Sequence, residues 1–230
     1  MGPMRVLLCD VETTGLEETD SVIEVACTLY SLEHASPIES YACILQAEKN
    51  GAEHVNGIAS DLLSKHGLEG TEVWERVHAL GYEADCLVAH RAEFDKRFVD
   101  KSMYSVGLSI GRPWVCTKTD IKWPGERRGD HLVQLALSMG LGVASAHRAM
   151  ADVDTMSRIL TRAAEMGVDL VEMFRLALRP KKRFVAMVSF EMKDTAKQAG
   201  FLWDPDRKQW YRHMPPEDVE ALSFRVVQRD

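Results

Sequence analysis

The segment LLCDVETTG, residues 7–15, constrains this chain more than any other. An apolar run ends in two carboxylates, Asp10 and Glu12, and then in a turn sequence. In an extended strand, residues i and i+2 share a face, so the two carboxylates project together where the strand ends. Adjacent like charges repel, and burying them is costly unless a cation lies between them. A hard divalent cation with oxygen ligands meets that need. The bland alternative is a solvated strand end, because a lone D-x-E is common. Thr13 and Thr14 mark the turn, and Gly15 is expected to let a ligand approach the backbone closely.

The rest of the chain places that strand in a layered fold. MRVLLCDV, SVIEVACTLYS and IESYACIL read as three strands in hairpin succession. IASDLLSKH and TEVWERVHALGY have helical spacing, with Thr71 as the expected N-cap of the second. DCLVAH is a short strand, AEFDKRFVDKSM a helix, PWVCTK a strand and HLVQLALSMG a helix ending at Gly140. MADVDTMSRILTRAAEMG is a long amphipathic helix ending at Gly167, and DLVEMFRLAL is one more helix. A strand meander followed by alternating strands and helices predicts a mixed sheet covered by helices, in the α/β class.

Two further segments strengthen the metal reading. CLVAHRAEFD puts His90 at a strand end and Asp95 in the following helix, beside Phe94. SAHRAMAD puts His147 five residues before Asp152. Five residues turn a helix by roughly 140°, so His147 belongs in the loop entering the helix and Asp152 one turn inside. Asp154 lies about 200° around from Asp152 and should point elsewhere.

Taken together, DVETTGL (10–16), VAHRAEFD (88–95) and HRAMAD (147–152) resemble the three motifs of the DEDD exonuclease superfamily, in the subgroup carrying a histidine. The likeness extends over roughly residues 4–165 and is greatest to exonuclease X-like enzymes, with WVCTKTDIKWPG in support. The proofreading subunit of bacterial replicative polymerase is a broader relative of the same kind. The resemblance implies a ribonuclease H-like fold and metal-dependent 3′–5′ exonuclease activity. It implies that Asp10, Glu12, Asp95 and Asp152 hold two divalent cations, Mg²⁺ or Mn²⁺, with His147 as general base. It also implies substrate contacts at Thr13, Thr14, Gly15, Leu16, His90 and Phe94, Leu16 wedging against a terminal base. DNA, single-stranded in preference, is favoured as the substrate. RNA hydrolysis and a non-catalytic nucleic-acid-binding role are the alternatives, the latter disfavoured because all four carboxylates and the histidine stand in place. Two positions depart from the family pattern: Arg91 stands where Asn is frequent, and Asn56 where His is usual.

RPKKRF, at 179–184, breaks the pattern and suggests a boundary, dividing an exonuclease domain (1–179) from a small α+β unit (180–230). In the latter, RFVAMVSF and KQWYRH read as strands, EMKDTAKQAG as a helix and PPEDVEALS as a Pro-initiated helix. AKQAGFLWDPDRKQWYR resembles a small domain of unknown function appended to DNA-handling proteins. Lys193, Lys197, Arg207, Lys208 and Arg212 interleave with aromatic residues including Trp210, a pattern suited to accessory contacts with single strands. For the tryptophans the favoured reading is core packing, since a unit of about 50 residues has few large side chains to bury.

The net charge of −7 counts against a general nucleic-acid binder. Its distribution does not: residues 181–230 carry +2 and residues 1–180 carry −9. Five scattered cysteines without C-x-x-C spacing read as free core thiols of a reducing compartment, which together with the absence of a signal-peptide pattern predicts a cytoplasmic protein. No apolar stretch approaches the roughly 20 residues of a membrane span.

Overall fold

A computed structural model describes residues 4–125, 129 and 131–229. The chain divides into two compact units, Met1–Ala177 and Leu178–Asp230.

The first unit is built on five strands: β1 (Arg5–Thr13), β2 (Val22–Ser31), β3 (Ser36–Ile44), β4 (Cys86–Ala89) and β5 (Trp114–Cys116). Its helices are α1 (Glu53–Asn56), α2 (Ser60–His66), α3 (Gly70–Glu83), α4 (Ala92–Ser105), α5 (Leu132–Ser138), α6 (Ala149–Glu165) and α7 (Leu170–Ala177). The sheet order is β3-β2-β1-β4-β5. The hairpin-connected strands pair antiparallel, whereas β1 with β4 and β4 with β5 pair parallel through helical crossovers. The mixed sheet expected from the sequence is therefore present, with β1 at the junction of its two halves.

Strand alternation separates the two faces. Leu7, Cys9 and Val11 of β1 and Val25, Cys27 and Leu29 of β2 pack with Val73, Trp74 and Val77 of α3 and Phe98, Val99 and Met103 of α4. The even-numbered residues of β1 take the opposite face, where α6 packs on β1 and β2. Val6 and Leu8 are buried there, and Asp10 and Glu12 continue the same row. The α6 stripe Val153, Met156, Ile159, Leu160 and Ala163 is buried, and the helix ends before Gly167 at φ +88. The five cysteines are free thiols, with Cys9, Cys27 and Cys86 buried and Cys43 and Cys116 partly buried.

One expected cap is corrected. Helix α3 starts at Gly70 with Glu69 in the cap position and no side-chain cap bond, so Thr71 lies inside the first turn.

The second unit has a four-stranded antiparallel sheet, order β7-β8-β6-β9, made of β6 (Lys182–Ala186), β7 (Leu202–Asp204), β8 (Gln209–Met214) and β9 (Val226–Gln228). Phe184, Ala196, Phe201 and Met214 form its core, joined by Trp210. The expected helix at 191–200 is split into a 3₁₀ turn, Phe190–Met192, and α8 (Lys193–Gln198). The Pro-initiated helix is a 3₁₀ segment, Pro216–Ala221.

The expectation for the tryptophans holds for one of the two. Trp210 packs on the core, but Trp203, its cross-strand partner 5.4 Å away, is 49% exposed. Strand β7 is an edge strand, so its outer flank lacks a covering neighbour in the sheet.

Candidate active site

The site lies at the C-terminal ends of the parallel strands. Strand β1 delivers Asp10 and Glu12. Strand β4 leads to His90 and then to α4, whose first turn carries Asp95. Helix α6, on the face shared by Asp10 and Glu12, carries Asp152 in its first turn, and His147 stands just outside it. Asp10, Glu12 and Asp152 each offer a carboxylate oxygen within 4.8 Å of the others, which suits a divalent cation. Asp95 is outside that trio but adjoins it. It is buried, and its Oδ1 accepts a hydrogen bond from the Val11 amide at 3.2 Å.

The electrostatics follow from that crowding. Burial, then Asp95, Asp152 and Glu12, push the Asp10 carboxyl well above the usual range. Burial raises Glu12 to about 7, with Asp152 and Glu24 adding and Arg148 opposing. Asp95 is raised by burial, against hydrogen bonds from backbone amides. Asp152 is raised by burial, while the amide and charge of His147 act the other way. A group of carboxylates each disfavoured as an anion is what a bound cation would relieve. The donor set thus fits divalent metal.

The helix entrances are strained alike. Arg91 and His147 both lie in the left-handed region, at φ 69 and 61. The His147 amide donates to Asp152 Oδ2 at 3.2 Å, closing the loop onto the first turn of α6. Asn would tolerate the conformation at Arg91 better than a long side chain does. Asp154 is exposed and lies 4.0 Å from Arg158, away from the cluster as expected.

The residues expected to contact substrate differ in their exposure and partners. Leu16 is 72% exposed, and its carbonyl accepts from Arg97 Nη2 at 2.8 Å. Lys101 Nζ donates to the carbonyls of Glu18 and Asp20, so α4 holds the β1–β2 loop at several points. Thr13 Oγ1 donates to the Gly15 carbonyl and Thr14 Oγ1 to Asp20 Oδ1. A Cβ on Gly15 would meet the Asp20 carboxylate at 2.5 Å, so the Asp20 side chain lies close against the glycine. His90 Nδ1 is hydrogen-bonded to Thr117 Oγ1 at 2.9 Å. Phe94 packs against Phe98, with ring centroids 4.9 Å apart, at the edge of the core.

Two features escape a reading of the sequence. Asn56 is buried: it donates to the Thr13 carbonyl at 3.3 Å and accepts from Asn50 Nδ2 at 2.8 Å, bracing the end of the carboxylate strand. Glu24 lies directly opposite Glu12 in the β1–β2 register, buried and bonded to Arg148. Its one sequence signal is a lone carboxylate within the apolar run of β2.

In the second unit, Lys193 lies over the exposed Phe190 ring at 4.2 Å. Arg207 is 3.9 Å from Asp204, and Lys208 occupies a turn at φ 50. Lys197 sits in the last turn of α8. Arg212 donates to the Ala199 carbonyl at 2.7 Å, which commits it to the end of α8.

A five-stranded mixed sheet with its carboxylates gathered at β1, α4 and α6 defines the ribonuclease H-like class of α/β proteins. The chain belongs to the Exonuclease family (RNase_T), whose profile matches residues 7–160, and so carries a domain of the phosphodiester-hydrolase class. A domain of unknown function (DUF8626) matches residues 182–228. The chain is 28% identical over 172 residues to the PolC-type DNA polymerase III of Thermotoga maritima, matching 72% of this chain and 12% of that one. It is 25% identical over 173 residues to the 3′-5′ exonuclease DinG of Staphylococcus aureus, matching 72% and 19%. The match thus spans less than a fifth of either relative. Among solved structures, E. coli exonuclease I with a dT13 oligonucleotide superposes with TM-score 0.65 at 14% identity, covering 96% of this chain and 68% of the other. Exonuclease X bound to 5′-overhanging duplex DNA gives 0.55 at 19%, covering 75% and 99%. Among the described residues no helix is long and apolar enough to cross a membrane.

Proposed function

We propose that this chain is a divalent-metal-dependent 3′–5′ exonuclease acting on DNA, with single strands preferred. The observation that carries the reading is the trio Asp10, Glu12 and Asp152, within 4.8 Å of one another, in a chain matching the Exonuclease family. Asp10, Glu12, Asp95 and Asp152 would hold two Mg²⁺ or Mn²⁺ ions, which when bound stabilise the attacking and leaving oxygens of phosphodiester cleavage. The chain's own residues do the rest. His147, exposed at the entrance of α6, takes the proton of the attacking water as general base. The loop bearing Leu16, fastened by Arg97 and Lys101, presents an apolar edge on which a terminal base can stack without being read. Residues 1–179 form the catalytic domain, and 180–230 an accessory unit that contacts the strand. The DNA polymerase and the DNA-bound structures among its relatives favour DNA.

The test is digestion of end-labelled single- and double-stranded DNA and RNA, with Mg²⁺ or with chelator, beside the Asp10→Ala variant. Shortening from the 3′ end of DNA, abolished by chelator and by the variant, is expected. Preferential digestion of RNA would move the substrate, and turnover in the variant would overturn the site.

A further inference from the structure

The carboxylate of Glu24 sits beside the cluster but is not spare for metal. Arg148 Nη2 donates to Oε1 at 2.7 Å, Arg148 Nε reaches Oε2 at 3.0 Å, and the Ala149 amide donates to Oε2 at 2.9 Å. Both oxygens are therefore engaged by a guanidinium fork and the N-terminus of α6, an arrangement of charge-assisted bonds with fixed geometry. Glu24 is rigidly seated, since it is buried in β2 and directly opposite Glu12. The consequence falls on three consecutive residues. His147 is tied by its amide to Asp152, Arg148 by its side chain to Glu24, and Ala149 by its amide to Glu24. His147 holds a left-handed backbone conformation, which for a non-glycine residue persists only where its surroundings enforce it.

We propose that Glu24 and Arg148 are a positioning pair that locks the His147 segment to the strand beside the carboxylates. The proposal rests on the nuclease reading above. An arginine beside a catalytic histidine invites assignment to substrate phosphate, but this guanidinium already spans Glu24 with two nitrogens. Removing the pair loosens the entrance of α6, while β1 still presents Asp10 and Glu12 and the buried stripe of α6 holds the helix that carries Asp152. A misplacement of about 1 Å at a general base can cost on the order of 10²-fold in rate.

The experiment uses the full chain with Glu24→Gln, Arg148→Ala, His147→Ala and the double variant Glu24→Gln/His147→Ala, with Asp154→Ala as an α6 control. In the metal-free protein, hydrogen exchange at the His147 and Ala149 amides should accelerate at least tenfold in Glu24→Gln and stay unchanged in Asp154→Ala. With Mg²⁺, Glu24→Gln and Arg148→Ala should each lower kcat roughly 10- to 100-fold with KM little changed. Glu24→Gln should cost little more once His147 is gone. Unchanged exchange, or an independent multiplicative loss in the double variant, overturns the proposal. If Glu24→Gln fails to fold, Arg148→Ala, whose side chain is half exposed, carries the same comparison. Failure of the wild type to cut nucleic acid would overturn the nuclease reading, while the exchange measurement would still decide whether the pair holds the segment.

Discussion

Glu12→Gln keeps the shape of the side chain and removes one charge from the metal-free cluster. Two full charges at the 4.8 Å bound of the trio repel by about 3.5 kcal/mol at an effective dielectric near 20. Burial first, then Asp152 and Glu24, raise Glu12 from 4.5 to about 7, which at roughly 1.4 kcal/mol per pH unit gives a ceiling of about 3 kcal/mol. Glu12 is partly exposed, so solvent screening reduces this to about 2 kcal/mol. The folded chain retains protons on these carboxyls that the unfolded chain has already released. Stability of the metal-free protein is therefore highest below pH 4.5 for this contribution and is lost as pH rises through about 7. At pH 8, Glu12→Gln should raise the metal-free melting temperature by about 4–8 °C, at 2–4 °C per kcal/mol for a unit of this size. At pH 5 the gain should nearly vanish. Mg²⁺ should stabilise the wild type at pH 8 and not the variant, and turnover should be lost. Calorimetry at both pH values, with chelator and with Mg²⁺, measures all of this. Equal melting temperatures at pH 8 without metal, or equal Mg²⁺ stabilisation, would refute this account of a carboxylate held against burial and like charge.

His147→Ala should lower the rate by about 10²–10⁴-fold while calorimetric Mn²⁺ affinity is retained, and a matching loss of affinity would make His147 a ligand instead. Arg91→Asn relieves a long side chain from the left-handed region and should add on the order of 1 kcal/mol in denaturant unfolding. Its failure to stabilise would mean that the Arg91 side chain returns the strain through contacts of its own. Removing residues 181–230 should leave kcat on a short oligonucleotide near normal and raise KM on long strands. Every phosphate that the shortened chain no longer neutralises should flatten the salt slope by about 0.7, and an unchanged slope would exclude a role for the C-terminal unit in gripping the strand.

The parts of the fold legible in the sequence are those where one periodicity runs long enough to see. Strands β1 to β3 and helices α3, α4 and α6 each carry many turns of pattern, and His147 and Asp152 fall where helical geometry puts them. Strands β7 and β9 are three residues long and lie at the two edges of their sheet, and the sequence does not announce either, whereas the equally short β5 is legible in its apolar run. Burial of large aromatics is the rule that assigns Trp203 to the core, but an edge position overrides it. By sequence Asn56 is only a departure from the family pattern, whereas its buried bond to the Thr13 carbonyl gives it a bracing role. Glu24 is visibly odd in an apolar strand, but only tertiary packing reveals that its partner is 124 residues away. Local sequence carries faces and turns, and long-range polar pairing is invisible to it.

The alternation along β1 has a consequence for how the chain finds its fold. Shifting this strand by one residue would turn Leu7, Cys9 and Val11 outward from α3 and α4 and drive Asp10 and Glu12 into that apolar layer. Two unpaired carboxylates in such a place would cost several kcal/mol, far more than a misaligned hydrogen-bond ladder recovers. The same two side chains that gather at the strand end therefore penalise slipped pairings of the central strand and help to fix its register.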